Sequence, residues 1–251
     1  MKTCKILICA LFLLTQVHAQ NTRSVFRKGY LRFGFSTLGG NVDNNLSPAE
    51  NVLKGNYGAS TGIAFESGHI FYFKSSHSKT KFNYGLDWTI LSATYNKLNE
   101  WNSYAGNNNV SIDGTKISAS LSSKLGPDIS FNPVEKLIID IRFQVMPVIR
   151  FSDLEYDENE GETNEKSFSF RNYGQENIDA GFNAESVKNM LAFGIGTNCG
   201  ISVRRKAIGL ALDYSSVQSN TEYDAYDGTN HTFGKIKIPT HSFQVKLSIS
   251  L

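Results

Sequence analysis

Nowhere does this 251-residue chain hold an apolar run long enough to cross a membrane as a helix, which takes ~20 consecutive apolar residues. That absence excludes a helical membrane protein. It leaves open a membrane barrel, whose lipid contact is spread over alternate residues. Cysteine is nearly missing as well: Cys4 and Cys9 lie at the very start, and beyond them stands Cys199 alone. One remaining thiol excludes an internal disulfide and a cysteine-rich metal site. Charge of one sign is also missing. The chain carries 25 basic and 23 acidic residues, and without Lys2 and Lys5 the basic count falls to 23, an even balance. Such a chain has no overall basic excess for nucleic acid. Mean hydropathy is mildly negative at −0.27.

The first residues have their own grammar. Lys2 and Lys5 supply a positive end, residues 6–14 an apolar centre, and Val17 and Ala19 the small residues before a cleavage site. This is the pattern of a secretory signal. We read residues 1–19 as a signal peptide and residues 20–251 as one domain starting at Gln20. Cys4 and Cys9 stand in no lipoprotein context.

What the rest of the chain holds is alternation. In residues 243–251, Phe243, Val245, Leu247, Ile249 and Leu251 alternate with Gln244, Lys246, Ser248 and Ser250. Strand side chains point alternately to opposite faces, so this is a strand with one apolar and one polar face. The same pattern predicts strands over 30–38, 57–73, 82–96, 116–131, 137–151, 190–203, 208–224 and 233–251. The clearest sets Ile139, Ile141, Phe143 and Val145 against Asp140, Arg142 and Gln144. A parity slip near Pro239 predicts a bulge. Links 74–81, 132–136 and 204–207 are short, whereas 39–56, 97–115, 152–189 and 225–232 are long or polar. Short turns at one end and long loops at the other are the habit of a transmembrane barrel.

Orientation then decides the class. With the apolar faces inward, the outside would be mostly Gly, Ala, Ser and Asn with sparse charges, a poor solubilising surface. With the apolar faces outward, small polar residues fill the narrow interior of an eight-stranded barrel. The inward charges also balance: Arg32, Lys124, Arg142 and Lys246 against Glu66, Asp87, Asp140 and Asp213. Buried charges are costly unless paired, so these eight are read as a structural charge network in the lumen. A pair such as Asp87 and Asp140 is read as part of that network rather than as an acid/base couple.

Segment 125–140, Leu-Gly-Pro-Asp-Ile-Ser-Phe-Asn-Pro-Val-Glu-Lys-Leu-Ile-Ile-Asp, resembles the strand–turn–strand element of small bacterial outer-membrane β-barrels. These are the OmpA/OmpX-like membrane domains of Bacteroidota-type bacteria. The resemblance implies an all-β, up-and-down antiparallel transmembrane barrel of about eight strands, with long extracellular loops and short periplasmic turns. Its surroundings would be outer-membrane lipid and lipopolysaccharide, as a monomer. Leu251 departs from the aromatic residue that ends many such chains. A family of this kind implies a fold and a location, not one activity.

Three alternatives have their residues. Some small barrels are lipid-modifying enzymes with His and Ser near the outer rim. Here His231 lies near Asp227 and Thr229, and His241 beside Ser242, while His69 and His77 fall toward the other end. A second alternative is a secreted soluble barrel binding a small ligand. Third, loop 153–165 carries Asp153, Glu155, Asp157, Glu158, Glu160, Glu162 and Glu165. It lacks the ligand spacing of a calcium loop and reads as a solvated loop. Its aromatic continuation over 168–182 reads either as a partner contact or as an extension of the barrel wall. Residues 102–110, rich in Asn and Gly, read as a plain loop. Neither a catalytic residue nor a cofactor or metal is expected; the surface loops are the expected place of interaction with other proteins.

Overall fold

The computed structural model describes residues 25–73, 81–108, 110–158, 166–169, 191–226 and 231–251. The expected signal segment, the turn bearing His77 and most of loop 153–189 fall outside these described residues. In chain order the strands are β1 (Gly29–Leu38), β2 (Gly62–Tyr72), β3 (Phe82–Lys97), β4 (Ser111–Phe131), β5 (Leu137–Glu158), β6 (Lys166–Ser169), β7 (Leu191–Arg205), β8 (Ile208–Tyr226) and β9 (His231–Ser250). Two helices interrupt them, α1 (Pro48–Leu53) and α2 (Glu100–Asn108). Eight long strands form a closed antiparallel ring. Each pairs with its neighbour in the chain, and β9 returns to β1, with Tyr30 opposite Ser250 and Leu38 opposite Ser242. Around this ring of described strands, closure removes the two free edges an open sheet would have. The short β6 lies between β5 and β8 beyond the point where β7 begins, extending the wall by a few residues.

The faces are as the alternation predicts. Ile141 is 57% exposed and Leu247 37%, while Arg142 and Lys246 are 2% and 0% exposed. Phe33, Phe35, Ile63, Phe65, Phe143 and Ile195 also stand out from the wall. A water-soluble β-protein buries this face against a second layer; here none of the described residues forms such a layer over it.

Two expectations about strand geometry are corrected. The bulge is not at Pro239: pairing runs without a shift from Val217–Thr240 through Gln218–Pro239 to Ser219–Ile238. The apolar Ile238 points inward because the lumen at that level is itself apolar. Register shifts lie instead on β4, between Asp113 and Ile117, and on β3, where pairing jumps from Thr89–Lys124 to Ser92–Ser122. Ile90 and Leu91 there both face outward, and two consecutive apolar residues are the local signal of the extra residue. Strand β2 starts at Gly62 rather than residue 57, because Tyr57 turns inward to a buried cluster.

That cluster is formed by the loops at one end, the loop end. Helix α1 is started by a reciprocal cap, with Ser47 Oγ accepting from Glu50 N–H and Glu50 Oε2 accepting from Ser47 N–H at 2.9 Å. These bonds hold the exposed Glu50 carboxyl below its usual range. Residues 102–110, expected as a plain loop, mostly belong to α2. Asn and Gly are poor helix formers, so tertiary packing holds this helix. Trp101 and Tyr104, three residues apart and therefore on one face, are 0% and 4% exposed. They pack with Leu38, Val52, Tyr57, Leu98, Ile112 and Ile238, and Trp101 Nε1 donates to the Tyr57 carbonyl at 2.9 Å. The result is an apolar lid over the mouth of the barrel.

Trp101→Ala is expected to loosen this lid and leave the barrel intact. Protease acting on the folded barrel from the loop end is then expected to cut within residues 39–61 and 98–110 of the variant and to spare them in the parent chain. Cuts within 153–189 are expected in both, and the turn at 132–136 should be spared in both.

Candidate functional site

The interior is the place where chemistry-bearing side chains converge, and it is layered. At its centre sits Glu66 of β2. Its carboxylate meets Lys124 of β4 at 2.5 Å, Lys246 of β9 at 2.6 Å and Arg32 of β1 at 3.6 Å. Lys246 has three donors, and three acceptors surround it: Glu66, Asp213 Oδ2 at 2.8 Å and Gln244 Oε1 at 2.8 Å. Asp213 of β8 also takes Arg142 of β5, Nη2 to Oδ2 at 2.6 Å and Nε to Oδ1 at 3.1 Å. Asn198 Nδ2 adds a third contact to Asp213 at 3.0 Å. A low dielectric strengthens such pairs as much as it penalises unpaired groups.

The reach of Arg142 has a backbone cause. Arg142, Gly200 and Asp213 occupy one row across β5, β7 and β8. A Cβ on Gly200 would collide with the Asp213 carboxylate and lie 2.6 Å from Arg142 Nε. Glycine on the middle strand is what lets the guanidinium cross to the next strand but one.

Of the eight residues expected in the charge network, Arg32, Glu66, Lys124, Lys246, Asp213 and Arg142 are joined in one chain of ion pairs. Asp87 and Asp140 stand apart from it. Asp87 accepts from the Tyr30 hydroxyl at 2.6 Å, and the Tyr30 ring lies 3.7 Å beneath the Arg32 guanidinium. Asp140 does not pair with Arg142, its neighbour two residues along. It pairs with Arg204 at 3.1 Å and accepts from Ser202 at 3.0 Å. Ser130 Oγ lies between two carboxylates, 2.6 Å from Asp140 and 2.9 Å from Asp128, and its one proton serves one of them at a time.

Arg204 and Asp128 belong to this lower layer and escape the sequence reading. Alternation alone ends the strand at Val203 and leaves Arg204 in the turn. It turns Asp128 inward but names no partner for it. Below them Phe26 closes the end that carries the short turns, the turn end. It is 2% exposed and packs edge-on against Tyr72 at 5.6 Å.

Above the central network the lumen turns apolar, with Met146, Val148 and Val217 clustered inside. Arg150 lies one step higher. It is 6% exposed, its guanidinium sits 5.8 Å from the Tyr57 ring, and no acidic side chain among the described residues is paired with it. Alternation turns Arg150 inward without making it a member of the network.

The two histidines whose side chains are described, His69 and His241, do not converge. The His69 ring lies tilted against Phe71, centroids 4.6 Å apart, and His241 faces outward with Nδ1 3.1 Å from the Tyr214 hydroxyl. Asp227, the acid weighed with His231, lies outside the described residues. Among those residues no group of His, Cys, Asp and Glu has the arrangement of a metal site.

No protein-family model matches the chain, and no curated protein does. Solved structures do match in shape. They include the outer membrane protein OprG from Pseudomonas aeruginosa, at 8% identity over 92% of this chain and 98% of that one, TM-score 0.40. A major outer membrane protein from Thermus thermophilus matches at 7% identity over 89% and 99%, TM-score 0.41. The outer membrane protein AlkL in lipid bilayers matches at 10% identity over 93% and 94%, TM-score 0.35.

Proposed function

We propose that this chain is a bacterial outer-membrane barrel with a sealed interior, acting at its surface and not through its lumen. One observation carries the reading: the apolar side chains of the wall face out while the charges face in, most of them joined in ion pairs. In water this arrangement exposes a continuous apolar belt, well beyond the patch size a soluble monomer carries. In a bilayer the same belt is solvated by acyl tails and the paired charges are shielded from them. The turn end, which carries both described chain ends, then faces the periplasm, and the loop end with its lid faces outward.

The lumen is filled at three levels: Phe26 below, the Glu66 and Asp213 network in the middle, and the Trp101 cluster above. An eight-stranded barrel has room for side chains and little else. The protein is therefore read as a monomeric structural or interaction component of the cell envelope, without enzymatic activity. The OmpA/OmpX-like assignment rests on segment 125–140.

Planar-bilayer recording tests the sealed interior. The reconstituted protein is expected to give no conductance steps above baseline. Stable single-channel openings would refute it.

A further inference from the structure

The turn end is ringed by cations. Lys28 precedes β1, Lys81 precedes β3, Lys136 precedes β5, Arg205 ends β7 and Lys206 starts its turn to β8; all are exposed. Among the described residues of this rim the exposed acidic side chain is Glu135, already paired with Lys136 at 2.9 Å.

Three of these cations are held side by side. Lys206 N–H donates to the Lys136 carbonyl at 3.0 Å, and Arg205 stands opposite Leu137 in the β5–β7 ladder. Lys81 joins them from the next turn, its carbonyl accepting from Asn132 N–H at 2.7 Å. Solvated turns commonly carry a lysine, but these two carry it at an awkward place. Lys136 has φ 65° and Lys206 φ 59°. This left-handed region strains an ordinary side chain and favours glycine or asparagine. Both turns place a charge where backbone geometry asks for no side chain at all.

The cluster also sits at the edge of the apolar wall. Arg205 follows Val203 on the outward parity of β7, and Ile208 opposite it on β8 is 62% exposed. Val134 in the neighbouring turn is 60% exposed. Long basic side chains at such an edge lay their stems on apolar surface and present their heads at the headgroup level. A planar guanidinium with two ammonium groups beside it suits the oxygens of a phosphodiester.

We propose that Lys136, Arg205 and Lys206, with Lys81 beside them, form a binding surface for anionic phospholipid headgroups of the periplasmic leaflet. The proposal rests on the membrane placement argued above. It gives the barrel a chosen lipid at its inner rim, and it fixes how deep the barrel sits.

Native mass spectrometry of the full chain, folded in detergent with equal phosphatidylglycerol and phosphatidylcholine of matched acyl chains, tests this. Each basic residue near an anionic surface contributes roughly fivefold, so phosphatidylglycerol adducts are expected to exceed phosphatidylcholine adducts by about tenfold or more. Lys136→Gln/Arg205→Gln/Lys206→Gln should bring the two to parity while the heat-modifiable gel shift of a folded barrel is kept. Lys136→Gly/Lys206→Gly removes two charges and the strain together; it should fold at least as well and lose most of the preference. Excess inorganic phosphate should leave the preference in place, and displacement by it would overturn a lipid ligand. Equal adducts on the parent chain, or a preference that survives both variants, would overturn the proposal alone. A parent chain that does not insert into vesicles would overturn the membrane reading and this proposal with it.

Discussion

Glu66→Gln is expected to cost about 3–5 kcal/mol of barrel stability, the scale for removing one partner of a buried ion pair. The reason is stoichiometric. Glu66 is 1% exposed and is shared by Lys124, Lys246 and Arg32. Glutamine keeps the volume and one acceptor oxygen but removes the charge. Lys246 retains Asp213, whereas Lys124 and Arg32 lose the carboxylate they face. Urea titration in lipid vesicles, followed by the heat-modifiable gel shift, measures the effect. Arg150→Met is the matched control. Arg150 is also buried, but among the described residues no acidic side chain is paired with it, so removing its charge strands no carboxylate among them. That change is expected to be neutral or stabilising, since an apolar replacement of similar volume escapes the desolvation cost. Equal losses for the two variants would mean that side-chain volume, not pairing, holds the interior together.

Ile141→Arg carries the second large effect, about 2–4 kcal/mol in lipid vesicles if residue 141 lies near the bilayer midplane. The change tests orientation because the two settings predict different results. Ile141 is 57% exposed, and a surface substitution of that kind on a soluble protein usually falls within about 0.5 kcal/mol. On the outer wall of a membrane barrel the same guanidinium must leave water or drag water with it. Urea titrations of parent and variant in the same vesicles give the comparison. A loss below about 1 kcal/mol would place Ile141 outside the hydrocarbon region.

Most of the wall is legible without coordinates, because a period of two in hydrophobicity is a local property of each strand. Phe243 through Ser250 and Leu137 through Phe151 declare both faces without reference to anything distant. Features decided by distant partners are not legible in this way. Ile238 breaks the polar pattern of β9 only because Trp101, far off in the chain, makes that level of the lumen apolar. The Asn- and Gly-rich stretch holding α2 has weak helical preference, and its two aromatic anchors gain meaning only from Tyr57 and Leu38. Within the network, inward parity identifies the charged residues but not their pairing. Asp140 lies nearer Arg142 in sequence, yet register hands Arg142 to Asp213 across Gly200, and Asp140 to Arg204. Parity is set along one strand; pairing depends on how strands align, and no single strand encodes that.

The central claim is that the apolar side of the wall meets lipid, and the chain carries its own probe for it. Cys199 is exposed, on the outward parity of β7 between Thr197 and Ile201. With Cys4 and Cys9 replaced by serine, a nitroxide on Cys199 can be read in vesicles by its collisions with oxygen and with a water-soluble nickel chelate. High oxygen accessibility with little access to the chelate is the predicted result. Free access of the chelate to Cys199 in a folded barrel would contradict the account.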